Sequence, residues 1–320
     1  VEQQTLAQTA IDCDLPETDL NTLYQWFVEY DRTVTLFSQG INQSSSGVDK
    51  GNAIINCHLI SGKIGKLGAT PFSITGQPNA MGGREVGGLA NQLAAHMELT
   101  NSESLDKVKR FWDAPNLAKH AGLKAVDMFS AVDNGQIKAI WIIATNPVVS
   151  MPDADKIKQA LSHCDLVIVS DSSDATDTLQ FADVCLPATT WGEKDGTTTN
   201  SERRISRQRR FLSPPEEAQD DWKIICEVAK RMGFKDAFNF ASNADVFREH
   251  AALSGFENVK TNGNSERDFD ISGLAEISDL EYQNLEPIQW PVNNAYPLGR
   301  KRFFDDGHFY TASNKANLIA

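Results

Sequence analysis

Two apolar runs, Ala139-Ile-Trp-Ile-Ile143 and Leu166-Val-Ile-Val169, each end on polar residues and flank a stretch in which Ile157, Ala160 and Leu161 recur at helical spacing. A strand, a helix and a second strand in that order predict a parallel, right-handed βαβ unit. Val184-Cys-Leu186, stopped by Pro187, predicts a further strand, and Val34-Thr-Leu-Phe37 an earlier one. The expected fold is α/β: a three-layer α/β/α arrangement around a mostly parallel sheet.

Helices are expected where Ala53, Ile54, Cys57 and Ile60 repeat, from Arg84 to Met97 with Val86, Leu89 and Leu93 on one face, and around Leu105–Phe111 and Val126–Val132. Asp221 should cap another, with Trp222, Ile225, Ala229 and Met232 inward and Gly233 as its stop. A last helix is expected from Asp245 to Leu253, ended by Gly255. Three stretches follow from this pattern: 1–97 as an α/β stretch, 98–258 as a βαβ-containing unit, and 259–320 as an irregular connection. The last contains the turn-forming N-G-N-S at 262–265 and the aromatic pairs Phe303-Phe304 and Phe309-Tyr310.

Charge and cysteine use narrow the partners. A formal net charge of −13 disfavours nucleic acid, whose phosphates would be repelled. No apolar run is long enough for a bilayer, so no membrane partner is expected. Five cysteines stand singly, without a C-x-x-C pair, and the six histidines form no H-x-x-x-H pair, so no metal ligand is expected. Reduced thiols and an acidic surface fit a cytoplasmic protein.

Polar residues gather where the strands end, the place where open α/β sheets bind ligands. Gln39 and Gln43 follow the first strand, Asn146 follows 139–143, Ser170 and Asp171 follow 166–169, and Lys194 lies beyond Pro187. Amides, a hydroxyl, a carboxylate and an ammonium on one rim suit a nucleotide-like ligand. Neither G-x-G-x-x-G nor G-x-x-x-x-G-K-[ST] occurs, so the usual dinucleotide and P-loop sites are excluded. Between Glu202 and Arg210, five arginines fall in eight positions, readable as a charged edge strand or as an anion clamp or docking surface.

FSQGINQSSSG, HLISGKIGKLG, GQPNAMGGREVGG, IIATNPVVSMPD, LVIVSDSSDATDT, ADVCLPATTWGEKDGTTTNSERR and QDDW occur in this order. The ordered set resembles the middle of the molybdenum bis-(molybdopterin guanine dinucleotide) oxidoreductases over roughly residues 20–250. Within that family it is most similar to the assimilatory nitrate reductases. Arg84 stands where the formate dehydrogenases of the family lack one, and Gln39 and Ser44 stand where periplasmic nitrate reductases usually show Met and His. Leu67 departs from the family's usual proline.

The resemblance implies a two-electron reduction of nitrate to nitrite. Gln39, Gln43, Asn146, Ser170, Asp171, Lys194 and Asp221 would bind the cofactor, and Arg84 with Gln77 would face nitrate, making 1–97 the end of one cofactor-binding domain with the substrate-funnel loop and 98–258 a Rossmann-like guanine-dinucleotide-binding domain. It also implies that the stretch is internal to a longer enzyme, with a 4Fe-4S cluster upstream, the molybdenum ligand outside these residues and a barrel downstream. By itself it would then hold no catalytic residue, bind no cofactor and be inactive. Electrons would come from a donor protein or reductase subunit. The alternatives are a periplasmic-type enzyme and a cofactor-free structural relative of the complex I kind, which would be expected to have lost the polar rim.

Overall fold

The computed structural model describes residues 4–215, 217–259 and 266–319; the 262–265 turn expected from sequence lies outside them. The chain opens with α1 (Leu6–Cys13), whose N-cap Thr5 accepts a bond from the Gln8 amide, and α2 (Glu17–Glu29), which starts after Pro16 with Glu17 and Asp19 in its first turn. Then come β1 (Val34–Phe37), α3 (Gln39–Asn42), α4 (Gly47–Ile60) and β2 (Thr70–Ser73). β1 and β2 pair in parallel, Val34 opposite Thr70 and Phe37 opposite Ser73, across the helical crossover. Helix α4 forms as its spacing predicts, but a different face is covered. Ala53, Cys57 and Ile60 are exposed, while His58 is fully buried against Phe27 and hydrogen-bonded to Thr35.

The helix expected from Arg84 to Met97 does not form. α5 is short (Ala80–Glu85), and Val86 and Leu89 beyond it are exposed. Gly87 takes a φ of +75°, and a Cβ there would lie 2.6 Å from the Leu93–Ala94 backbone, so the chain can turn back tightly on itself. The Ala95 amide then reaches the Glu85 carbonyl at 2.7 Å. Paired glycines at 87 and 88 outweigh the apolar spacing that suggested a helix.

The central unit matches its sequence pattern closely. α6 (Ser102–Phe111) and α7 (Ala125–Asp133) precede β3 (Ala139–Ile143), α8 (Pro147–Ser150), α9 (Ala154–His163), β4 (Leu166–Asp171) and β5 (Val184–Pro187), with a 3-10 turn at Asp177–Phe181. The three strands are parallel in the order β3-β4-β5. Ile140, Ile142, Val167 and Val169 bury one face of this sheet against Phe129, Val132, Ile157, Ala160 and Leu161. The expected mixed α/β architecture with parallel sheets is therefore present.

Beyond β5 lies an antiparallel sheet that the sequence pattern does not announce. β6 (Gly196–Thr199) and β7 (Arg204–Gln208) form a hairpin, and the distant β8 (Ile288–Gln289) pairs with the other side of β7. The arginine-rich strand is thus central, not an edge. Ile205 buries its core face at 2% exposure, and its arginines bind neighbouring segments. Arg203 donates to the Trp290 carbonyl and lies over the Phe303 ring, Arg207 donates to the Gly196 carbonyl, and Arg210 holds Asp220.

Three helices complete the chain: α10 (Asp221–Arg231), α11 (Asn243–Gly255) and α12 (Asp279–Gln283). In α10 the N-cap is Asp220 rather than Asp221. The buried positions are Ile224, Cys226 and Ala229, while Ile225 and Met232 face solvent. Ser242 and Asp245 close a reciprocal capping box on α11. The larger apolar core joins Leu93–Leu99, Val108, Ile205, α11 and residues 269–292, and so draws on all three stretches distinguished in the sequence. Phe304 stacks on Phe309 in turns rather than strands near the end.

Candidate functional site

Because β4 and β5 run parallel in adjacent positions, their carboxyl ends open side by side. Outside them lies a cleft of about 1170 Å³, lined among others by Asp171, Ser173, Thr176, Leu186, Glu193 and Ala218. Its floor is built by local side-chain-to-backbone bonds. Asp171 accepts from the Ser173 amide at 3.2 Å, and Ser173 accepts from the Ala175 amide at 3.3 Å. Five residues beyond Asp171, Thr176 has its Oγ1 buried with no partner among the described residues.

Beside the cleft, Lys194 Nζ meets Asp221 Oδ2 at 2.7 Å, and both side chains are about three-tenths exposed (30% and 27%). The other carboxylate oxygen of Asp221, Oδ1, is buried and unpartnered among the described residues. Asp220, one residue earlier, is fully occupied: it accepts from Thr189 at 2.9 Å and from Arg210 at 2.9 Å. A buried polar atom without a partner costs free energy, which a ligand donor would recover. Two such acceptors, Thr176 Oγ1 and Asp221 Oδ1, together with the Lys194 ammonium held by one carboxylate, suit a nucleotide-like ligand, whose base offers N–H donors and whose phosphates take a cation.

Two expected contact residues stand one layer behind the cleft. Ser170 is buried at 1% exposure and accepts the Trp141 indole N–H at 2.8 Å. Asn146 accepts from the Thr178 hydroxyl at 2.6 Å, fixing the 3-10 turn that forms one wall. Thr178 was not legible as a partner; a threonine 32 residues from Asn146 carries no spacing signal.

A second group gathers on the β1–β2 sheet. Parallel register places the loops after Phe37 and after Ser73 together, and Asn42 Nδ2 to Ser73 Oγ (3.1 Å) and Ser38 Oγ to the Ile74 carbonyl (3.0 Å) join them. Gln39 and Gln43, at the two ends of α3, and Gln77, on the loop after β2, are all exposed. Past them, α5 presents two neighbouring charges in opposite directions. Arg84 is exposed and makes no side-chain hydrogen bond or ion pair within the described residues.

Glu85 is 4% exposed, accepting from Trp290 Nε1 at 2.6 Å and Thr199 Oγ1 at 2.8 Å. Burial pushes its carboxyl above the usual range, although both donors pull the other way. Asn79 accepts from the Thr199 amide at 2.9 Å, so α5 is tied to β6 at both ends. Among the described residues no group of three His, Cys, Asp or Glu side chains is arranged to hold a metal ion, and no helix is long and apolar enough to cross a membrane.

A family model described as molybdopterin oxidoreductase matches residues 17–231. The chain is 51% identical over 290 residues to a nitrate reductase of Klebsiella oxytoca, covering 91% of this chain and 33% of that protein. It is 48% identical over 316 residues to one from Shewanella frigidimarina, covering 98% and 33%. A nitrate reductase of Synechocystis is 40% identical over 312 residues, covering 96% and 42%. The chain thus spans about a third of the length of the first two curated relatives, 33% of each. The family match takes in β1 to α10, every element that lines the cleft at the strand ends, and with it the chain belongs to the molybdopterin oxidoreductase family.

Proposed function

We propose that the chain is the central cofactor-binding part of a molybdenum-dependent nitrate reductase, which converts nitrate to nitrite and water with two electrons and two protons. The observation that carries this reading is α5: a short helix with its Glu85 side buried and a guanidinium, Arg84, turned outward and unpaired among the described residues. A planar fork of N–H donors matches a planar oxyanion with two parallel hydrogen bonds. Gln77, on the preceding loop, would add an amide donor.

Asp171, Thr176, Lys194 and Asp221 would hold a guanine dinucleotide, with Asn146 and Ser170 fixing the walls behind them and Gln39 and Gln43 reaching it from the first loop. Bound molybdenum bis-(molybdopterin guanine dinucleotide) would supply the two-electron chemistry. The chain's own residues would bind, orient and neutralise charge. The assimilatory branch, a cytoplasmic location, a 4Fe-4S centre outside these residues and a separate electron donor belong to the same proposal, supported by Gln39 and by Ser44 after Gln43.

The test is Arg84→Ala in the natural-length enzyme, assayed with reduced viologen as electron donor. Loss of a preorganised cation should lower kcat/KM for nitrate by about a hundredfold or more, with molybdenum and pterin content unchanged. A variant with wild-type kcat/KM and full cofactor content would remove the basis of this reading.

A further inference from the structure

The string GQPNAMGGREVGG holds more than Arg84, and its other residues fasten the helix that carries it. At the end of α5, the Glu85 carboxylate divides between two donors on the antiparallel sheet. Oε2 accepts from the hydroxyl of Thr199, the last residue of β6, at 2.8 Å. Oε1 accepts from the indole of Trp290, the residue after β8, at 2.6 Å. All three residues are buried. At the start of α5, the Asn79 side chain accepts from the Thr199 amide at 2.9 Å. A Cβ at Gly82 would collide with that same Asn79 Oδ1, so glycine leaves the acceptor in place.

These ties matter because α5 has six residues, while a helix of under about 12 is marginal alone. Its direction is set by what it is fastened to. Neighbouring side chains on a helix point about 100° apart, so drawing Glu85 inward turns Arg84 toward solvent. Removing the carboxylate would leave the Trp290 indole and the Thr199 hydroxyl buried without their acceptor, and α5 would lose its hold on the sheet at the residue beside Arg84.

We infer that Glu85 is a positioning residue: bonded to Thr199 and Trp290, it holds α5 in the orientation that presents the Arg84 guanidinium to the substrate oxyanion. The inference rests on the reading of Arg84 as the nitrate-binding group. Glu85 is buried away from solvent, so it acts through its neighbour rather than on the oxyanion itself. Asn79 and Gly82 serve the same docking from the other end of the helix.

A double-mutant cycle in the natural-length enzyme tests it, with nitrate reduction by reduced viologen and the molybdenum and pterin content as readouts. Glu85→Met keeps the length of the side chain and removes both acceptors. It should lower kcat/KM for nitrate about tenfold at unchanged cofactor content, since a small misplacement of an orienting group is costly. Glu85→Gln keeps an acceptor for Trp290 and a partner for Thr199, and should stay within about threefold of wild type. In an Arg84→Ala background, Glu85→Met should cost nothing more, because the group it positions is gone. Gly82→Ala displaces Asn79 and leaves Glu85 intact; it should show the same dependence on Arg84, and it replaces Glu85→Met if that variant does not fold. Wild-type kcat/KM in Glu85→Met, equal losses in Glu85→Gln and Glu85→Met, or the same loss with and without Arg84 overturns the inference while leaving Arg84 its role. Wild-type kcat/KM in Arg84→Ala alone removes the reading of Arg84, and the inference with it.

Discussion

At the scale of single residues, neighbours along the chain carry opposite duties. Arg84 and Glu85 are adjacent, yet one faces solvent, unpaired among the described residues, and the other is buried and bonded to Trp290 and Thr199. Sequence exposes Arg84 because it stands inside a recognisable string. It hides Glu85, whose partners lie 114 and 205 residues away. The same buried region contains His250, stacked on Phe269 at 5.3 Å. Burial, aided by His96, lowers the His250 imidazole from 6.5 to about 4.

The unfolded chain therefore takes up a proton near pH 6.5 that the folded one refuses until about pH 4. This contribution to stability is complete above 6.5 and is lost as pH falls through about 4. At 1.36 kcal/mol per pH unit, the loss approaches about 3 kcal/mol. His250→Gln removes the titration. Urea unfolding at a series of pH values should show the wild-type stability falling relative to the variant between pH 6.5 and 4. Parallel profiles would contradict the assignment.

At the scale of elements, local pattern foretold what local pattern controls. β3, α9, β4 and β5 were legible because each is a short apolar run bounded by polar residues, and α9 buries the three side chains its spacing selects. The β6–β7–β8 sheet was not, because β8 joins from more than eighty residues away (Ile205 opposite Ile288) and only two residues long. Charge density on β7 also argued for an edge, whereas tertiary pairing placed it in the middle. The same limit applied to the polar rim: Asp171 and Lys194 were visible at strand ends, but the Lys194–Asp221 pair and the buried Thr176 Oγ1, without a partner among the described residues, appear only in three dimensions.

The central place of β7 has a measurable consequence. Ile205 is 2% exposed and packs into the larger core, so Ile205→Ala should cost about 3–4 kcal/mol, the usual range for truncating a buried isoleucine. A solvated edge strand would lose well under 1 kcal/mol, within the ordinary range for surface substitutions. Denaturant midpoints of wild type and variant separate the two outcomes.

At the scale of the molecule, apolar burial is unevenly shared. Both hydrophobic clusters begin after residue 80, and neither includes a side chain from α1 to β2. That leading part buries only Ala10, Leu20 and Ala69 among its apolar residues, while Leu23, Trp26, Val28, Val34 and Leu36 remain exposed. A two-stranded parallel pair with one crossover helix is marginal without a covered face. The β3–β4–β5 sheet, by contrast, packs against α7 and α9 with Val169 and Val132 at 0% exposure. Local opening free energy follows such differences in burial.

Hydrogen exchange on the 320-residue protein should therefore proceed in two stages. Amides of β1 and β2 are expected to exchange about a hundredfold or more faster than those of β4, a difference of nearly 3 kcal/mol in opening free energy. Equal protection of the two sheets would mean that the leading part gains its stability from something other than apolar burial. In the proposed function, Gln39, Gln43 and Gln77, exposed beside this less buried sheet, would be the residues that a bound cofactor orders.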